Sequence, residues 1–284
     1  MLLLLIPVAS AAWPEDVSIL AMDNYDGEST AALSGDDYVT VGYHDLVKEL
    51  GIALANKPMT PAETLGVNGF SVSVANTVAF IRTGSLDGVH PSGWDLADPN
   101  EDPPVILFVP YVQIQKGLPA SLELGTRFGW VGESRTGVFG FNGRWGIVEG
   151  YRQFPDLSVQ IGYSGYVGND ELELGVMDMG ATLGYTLPFG VTAGIHQAQF
   201  SPFIGVGVNR IHAAPRVDLS NTGLTDRVTE VSGFKSSEVF DKEFAPLQVS
   251  GGFRIVNGDF SILLSSAYAP QILPTVNVGL GFVY

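Results

Sequence analysis

The sequence predicts an all-β protein, a transmembrane up-and-down antiparallel β-barrel of about ten strands, with eight or twelve strands as the alternatives. Apolar residues alternate with small or polar residues through most of the C-terminal two-thirds of the chain. Successive side chains of a strand point to opposite faces, so each such segment has one apolar face. Short and long connections also follow one another between these segments, as they do in outer-membrane barrels.

Ten segments carry the alternation, and they are residues 67–82, 105–115, 120–131, 136–149, 157–167, 177–187, 200–210, 247–256, 260–268 and 275–284. In the last segment Val278 and Leu280 alternate with Asn277, and the pattern continues to Phe282 and Tyr284. This ending resembles the terminal strand that the barrel-insertion machinery recognises in bacterial outer-membrane barrels. Phe282 and Tyr284 are therefore the candidate assembly signal.

The connections indicate how the barrel is oriented. Short connections are predicted at residues 116–119, 151–156, 187–190 and 257–259, whereas 84–104 and 212–245 are long and polar. Short turns face the periplasm and longer loops face outward in such barrels. A soluble β-sandwich would alternate in the same way, but this pattern of connection lengths favours the barrel.

The start and the composition of the chain predict an exported protein of the outer membrane. Residues 1–11 are an apolar run ending in Ala9-Ser10-Ala11, which is too short for a ~20-residue transmembrane helix and is typical of a signal peptide. The chain has no cysteine, which excludes disulfides and thiolate metal sites. Its formal charge of −16 argues against nucleic acid as a partner.

Residues 12–65 form an acidic segment ahead of the predicted barrel, which occupies residues 66–284. Residues 23–37 have the composition of a disordered leader. In residues 45–54, Leu46 and Leu50 recur at helical spacing, and Asp45 and Glu49 lie one turn apart. We expect this helix to enter the periplasmic mouth as a plug, with its two carboxylates beside arginines of the lumen. The alternative is that it lies in the periplasm against a partner.

Seven charged or amide side chains fall on the polar faces of the strands, which face the lumen in a barrel. They are Glu123, Arg127, Arg144, Gln160, Asp178, Arg254 and Asn277. Two interpretations remain open: these groups pair with one another and fill a narrow interior, or they line a pore.

A catalytic or cofactor site is not predicted. His90 and Ser92 form a His-x-Ser pattern similar to that of outer-membrane phospholipases, but the pattern lies in a predicted loop. The sequence offers no metal-binding or cofactor-binding motif. An enzyme is therefore the least favoured function class, and a barrel hydrolase would be its form.

Two stretches carry a family resemblance. Residues 61–70, before and into the first strand, and residues 146–159, between the fourth and fifth strands, resemble segments of outer-membrane β-barrels of deltaproteobacteria and myxobacteria. A looser likeness is to porins and to long-chain fatty-acid transporters, which carry an N-terminal plug. The favoured function is a narrow pore or small-solute channel occluded by its N-terminal segment, with outer-membrane lipid and lipopolysaccharide around it. The alternative is a non-conducting structural or surface-interaction barrel that acts through its long outer loops.

Overall fold

The computed structural model describes residues 17–23, 38–57, 59–84, 91–98, 103–132, 134–151, 154–189, 198–234, 243–270 and 272–284. A 3-10 turn covers Leu20–Asp23, and the helices are α1, Tyr38–Leu54, and α2, Gly93–Ala97. The strands are β1 Phe70–Phe80, β2 Ile106–Leu118, β3 Leu122–Trp130, β4 Gly137–Val148, β5 Asp156–Val167, β6 Leu172–Gly184, β7 Leu187–Phe189, β8 Ala198–Pro215, β9 Val231–Ser232, β10 Leu247–Asn257, β11 Phe260–Tyr268 and β12 Pro274–Val283. The predicted signal peptide, residues 1–11, and residues 24–37 of the predicted leader lie outside the described residues.

Ten of these strands close into an antiparallel barrel, as the sequence predicts. Neighbours in sequence pair in order from β1 to β6, then β6 pairs with β8 and β8 with β10. The closing contact joins β12 to β1, from Ser71 opposite Val283 to Ala79 opposite Thr275. The short strands β7 and β9 add only local pairings to β8. Every long strand therefore has two neighbours, and no long sheet edge is left open.

Several boundaries differ from the sequence prediction. Strand β2 continues to Leu118, and the turn that follows is held by Ala120 and Ser121, both with positive φ. Strand β6 begins at Leu172 rather than at residue 177, and α1 begins at Tyr38 rather than at residue 45. The predicted outer loop also contains the short helix α2, capped by Ser92. The added parts of β6 and α1 contain buried apolar residues, Leu172 and Leu174 in the strand and Val39 and Tyr43 in the helix, which the predicted bounds left out.

The two ends of the barrel are distinguished by their connections. The turn end carries both the start of β1 and residue 284, with connections 119–121, 149–155, 185–197 and 258–259. The loop end carries connections 81–105, 131–136, 168–171, 216–246 and 269–273. Three of the loop-end connections are short, so the predicted contrast rests on 81–105 and 216–246. Because short turns mark the periplasmic end of such barrels, we expect the loop end to be the outer one.

The outward face is a continuous apolar surface. Its exposed side chains include Phe70, Val74, Phe108, Leu124, Phe128, Trp130, Phe139, Phe141, Trp145, Ile161, Tyr163, Leu183, Ile204, Val206, Leu264, Val278, Leu280 and Phe282. A closed barrel with an apolar outer band satisfies its backbone hydrogen bonds internally and turns its apolar side chains to lipid. The protein is an outer-membrane barrel. None of the described helices is both long and apolar enough to span a bilayer.

The facing of β12 leads to a testable prediction. Val278 is 45% exposed on the outward face, whereas the neighbouring Asn277 is 2% exposed and accepts a hydrogen bond from Tyr111 Oη at 3.1 Å. We expect Val278→Arg to lower the free energy of unfolding by ~2–4 kcal/mol, because the charge must enter lipid near the middle of the strand. Urea unfolding of the inserted protein measures this, with Val278→Leu as the matched control. An unchanged unfolding midpoint for Val278→Arg would show that this face is not in contact with lipid.

Candidate functional site

A single stretch of chain fills the barrel lumen, and we call residues 38–69 the lumen segment. It begins with α1 at the loop end and continues without regular structure to β1 at the turn end. Hydrogen bonds mark its path along the barrel in the order Glu49–Arg82, Leu54–Arg127, Asn56–Gln160, Thr60–Arg144 and Thr64–Glu149. Arg82 follows the last residue of β1 at the loop end, and Glu149 follows the last residue of β4 at the turn end. The segment therefore crosses the whole length of the lumen.

The half of the lumen nearest the loop end is apolar. The helix α1 buries Tyr43, Leu46, Val47, Leu50, Ile52 and Leu54. The barrel contributes the inward residues Ala79, Leu107, Val109, Val138, Val176, Ile211 and Ala213 to the same core. Gly51 permits a close approach of α1 to β8, because a Cβ there would lie 2.9 Å from Ile211 Cδ1. Burial of each large apolar side chain stabilises the packed state by roughly 1.5–3 kcal/mol, so α1 is firmly held.

This apolar core continues beyond the strands into a folded layer, which we call the loop-end cap and define as residues 17–23, 91–98, 216–234 and 243–246. The cap buries Ile19, Met22, Trp94, Leu96, Leu219, Leu224, Val228 and Phe244 in the same cluster as α1. Ser18 N donates to Ala97 O at 3.0 Å, which ties the 3-10 turn to α2. The lumen and the cap thus share one hydrophobic core.

The half of the lumen nearest the turn end is polar, and a buried ion pair lies in it. Arg144 Nη2 donates to both carboxylate oxygens of Glu123 at 2.7 Å, with both side chains almost fully buried. Glu123 also accepts from Gln115 Nε2 at 2.9 Å and from Leu65 N at 3.1 Å. Four hydrogen bonds from three donor groups compensate the carboxylate for its removal from water. Since Leu65 belongs to the lumen segment, the pair joins the barrel wall to that segment.

Three barrel side chains bind main-chain carbonyls of the lumen segment, and one of them, Arg144, also binds the Thr60 side chain. Arg127 Nη2 donates to Leu54 O, Gln160 Nε2 donates to Asn56 O at 2.6 Å, and Arg144 Nη1 donates to Pro61 O at 2.6 Å. Carbonyl groups without a helical or sheet partner need such donors when they are buried. These three carbonyl groups, at the end of α1 and in the irregular stretch after it, thereby have hydrogen-bond donors inside the barrel.

Several buried polar atoms in this half have no hydrogen-bond partner among the described residues. They include Lys57 Nζ, Asp178 Oδ2, Arg127 Nε and Arg254 Nε. Nearby cavities have volumes of ≈20 Å³, beside Lys57 and Gln160, and ≈30 Å³, beside Arg254. A space of this size holds one or two water molecules, which would hydrate these groups. It is too small for a sugar or an amino acid.

The structure places the seven predicted polar side chains inside the barrel but does not bring all of them together. Glu123 pairs with Arg144, Gln160 donates to Asp178 at 3.2 Å, and Asn277 accepts from Tyr111. A direct bond between Arg254 and another predicted side chain is not found in the described part of the chain. This pattern fits the interpretation of a filled interior more closely than that of a lined pore.

The predicted contacts of the plug helix are wrong in two respects. Glu49 binds Arg82 Nε at 2.6 Å and Trp94 Nε1 at 2.9 Å, and Asp45 binds Lys48 at 2.7 Å on the same helix. Neither carboxylate reaches the arginines of the polar half. The helix lies at the loop end and not at the periplasmic mouth, because the apolar inward residues that pack against Leu46 and Leu50 lie there.

The remaining predicted site residues occupy separate places. Phe282 and Tyr284 are exposed on the outer surface at the turn end, and the Tyr284 backbone exchanges two hydrogen bonds with Phe70. Ser92 caps α2 by accepting from Asp95 N, while His90 lies outside the described residues. A cluster of three or more potential metal-binding side chains does not occur among the described residues.

The inward apolar residues were missed by the sequence reasoning, which assigned the inward faces to polar groups. Leu107 and Val109 alternate with outward Phe108, so residues 105–109 are apolar on both faces. A strand with two apolar faces contacts apolar material on both sides. This run in the sequence therefore indicates that an apolar segment of the protein occupies the lumen.

Comparisons with known proteins give only distant structural likenesses. Neither a protein-family model nor a curated protein sequence matches the chain. Among solved structures, the chain is similar to the N-terminal β-barrel domain of Pseudomonas aeruginosa OprF, with 10% identity over 77% of this chain and 99% of that chain and a TM-score of 0.32. It is also similar to Ail of Yersinia pestis, with 10% identity, 77% and 99% coverage and a TM-score of 0.28. LpxR of Salmonella typhimurium gives 10% identity, 76% and 99% coverage and a TM-score of 0.34. At these identities and TM-scores the likeness supports no conclusion about this chain, whose fold is established by its own strand pairing.

Proposed function

We propose that the protein is a non-conducting outer-membrane barrel that acts through the folded cap at its loop end. The observation that carries this proposal is the single hydrophobic core shared by α1 in the lumen and by the cap. A barrel that opened as a channel would have to break this core. The sequence favours a pore over a structural or surface-interaction barrel. The shared core supports the structural or surface-interaction barrel more strongly than the pore.

A narrow anion-conducting pore is the second candidate, and one observation favours it. Lys57, Arg127 and Arg254 lie in the polar half with donor atoms that have no partner among the described residues. If the lumen segment left the barrel, Arg127 and Arg254 would line the passage. Cationic linings attract anions into narrow, low-dielectric openings.

Conductance in planar bilayers separates the two candidates. We expect the full-length protein to show no channel steps, because α1 and residues 55–65 occupy the lumen from end to end. A variant that lacks residues 13–59 and keeps the signal should conduct, with selectivity for anions. Heat-modifiable migration on gels serves as the control that both proteins are folded barrels. Stable openings of the full-length protein would reject the non-conducting barrel and favour the pore.

The proposal includes partners and excludes catalysis. Outer-membrane lipid meets the apolar outer band, and lipopolysaccharide surrounds the loop end. The insertion machinery would read the terminal strand through Phe282 and Tyr284, which are exposed. The non-enzymatic assignment is supported by the use of Ser92 as a helix cap, which engages its hydroxyl with Asp95. Kinship with the barrels of myxobacteria and deltaproteobacteria belongs to the same proposal.

A further inference from the structure

The lumen segment has a direction, and its N-terminal end is at the loop end of the barrel. His44, in the second turn of α1, lies 2.8 Å from Glu243, which precedes β10 at the loop end. From there the chain runs through the lumen and reaches β1 only at the turn end. The first residue of α1, Tyr38, is therefore separated from the turn end by the length of the lumen segment.

The described residues before α1 confirm where this part of the chain lies. Asn169 Nδ2 donates to Val17 O at 2.9 Å, and Ser18 Oγ donates to Glu171 Oε2 at 3.0 Å. Residues 169 and 171 belong to the connection between β5 and β6 at the loop end. Asp23 Oδ1 accepts from the backbone of residue 223 at 2.9 Å, within the cap. The 3-10 turn thus packs on the loop end at several independent points.

The hydrogen bonds between the barrel wall and the lumen segment are suited to holding an extended polypeptide. Arg127, Gln160 and Arg144 donate to main-chain carbonyls, which every residue type possesses. Contacts of this kind do not depend on the side chains of the segment, although Thr60 and Thr64 add side-chain bonds to Arg144 and Glu149. Anchorage in a fixed register then comes from the apolar face of α1 and from Glu49, which binds Arg82 at the rim.

We propose that the barrel carries its own N-terminal polypeptide through its lumen and presents the 3-10 turn and its flanks, residues 17–23, at the outer face. This inference rests on the proposed function, which takes the loop end as the outer end. The sequence around this turn is acidic, with Glu15, Asp16, Asp23, Asp26, Glu28, Asp36 and Asp37 and without a lysine or arginine between residues 12 and 37. The barrel is then the anchor, and residues 17–23 are part of the surface that it displays.

Single cysteines test this topology directly, because the native chain contains none. Leu20→Cys reports on the 3-10 turn, where the native side chain is 37% exposed. Thr229→Cys marks the cap at the loop end, and Asp259→Cys marks the two-residue turn between β10 and β11 at the turn end; both native residues are exposed. Each full-length variant is expressed in cells and treated with a membrane-impermeant maleimide before and after permeabilisation. Heat-modifiable migration shows that each variant is folded.

We expect Leu20→Cys and Thr229→Cys to be labelled in intact cells at least tenfold more than Asp259→Cys, which should react only after permeabilisation. Protection of Leu20→Cys in intact cells overturns the proposal, whether Thr229→Cys is labelled or not. Labelling of Asp259→Cys with protection of Thr229→Cys shows that the barrel is inverted and overturns it as well. The outcome is independent of conductance: a conducting barrel with a labelled Leu20→Cys would reject the proposed function and leave this inference intact.

Discussion

Replacing Arg144 with methionine is expected to lower the free energy of unfolding by about 3–5 kcal/mol, because it leaves the Glu123 carboxylate buried without its cation. Glu123 is fully buried, and the guanidinium of Arg144 contacts both of its oxygens at 2.7 Å. Gln115 and the Leu65 backbone would remain as donors, but they carry no charge. Urea unfolding in detergent, followed by gel migration, measures the change.

The matched control is the double variant Glu123→Gln with Arg144→Met. Removing both charges abolishes the uncompensated carboxylate, so most of the lost stability should return. The Arg144→Met substitution also removes the bonds to Thr60 and Pro61 of the lumen segment, and the double variant retains that loss. Equal stability of the single variant and the native protein would mean that the pair is hydrated in the membrane and not buried.

The strands were predictable from sequence because lipid imposes the same demand on every one of them. Residues such as Phe128, Leu280 and Val206 must be apolar wherever they face outward. This requirement recurs at every second position of a strand. The outward apolar pattern therefore stays recognisable even where the inward face is irregular. The strand number and the closure of the barrel follow from the same pattern.

The contents of the lumen were less predictable because no single rule governs the inward face. At the turn end it holds Glu123, Arg127 and Arg144, which the alternation indicates, whereas at the loop end it holds Leu107 and Ile211. An apolar inward residue interrupts the apolar–polar alternation, so the sequence there resembles that of an irregular strand. Only the tertiary structure shows that α1 is the apolar partner of these positions.

The end of the barrel at which α1 lies was predicted wrongly, although the length of the linker between α1 and β1 indicates it. Residues 55–69 separate α1 from β1, and an extended chain of this length reaches about 50 Å. A hydrocarbon core is only ~30 Å thick. A helix at the periplasmic mouth needs no such linker, whereas a helix at the far end of the lumen does. The carboxylate Glu49 was assigned to the wrong arginines for the same reason, since Arg82 lies at the far rim.

Leu50→Asp is expected to release the lumen segment from its core. The native side chain is completely buried in the apolar half, so the substitution removes about 1.5–3 kcal/mol of burial. The new carboxylate must also leave water without a cation placed to receive it, which raises the total loss to at least about 3 kcal/mol. We therefore expect the chain around residues 38–57 to become accessible to protease while the barrel strands stay protected. Limited proteolysis of the inserted protein, with fragments identified by mass spectrometry, measures this.

Val41→Asp is the matched control on the same helix. Val41 is 45% exposed, so an aspartate there stays in water and loses little apolar contact. The two variants introduce the same charge nine positions apart on α1, which separates the effect of burial from that of charge. Cleavage of Leu50→Asp but not of Val41→Asp is the expected result. Resistance of both variants would mean that the core around α1 does not hold the segment, and the polar contacts at Arg127, Gln160 and Arg144 would then have to supply the anchorage.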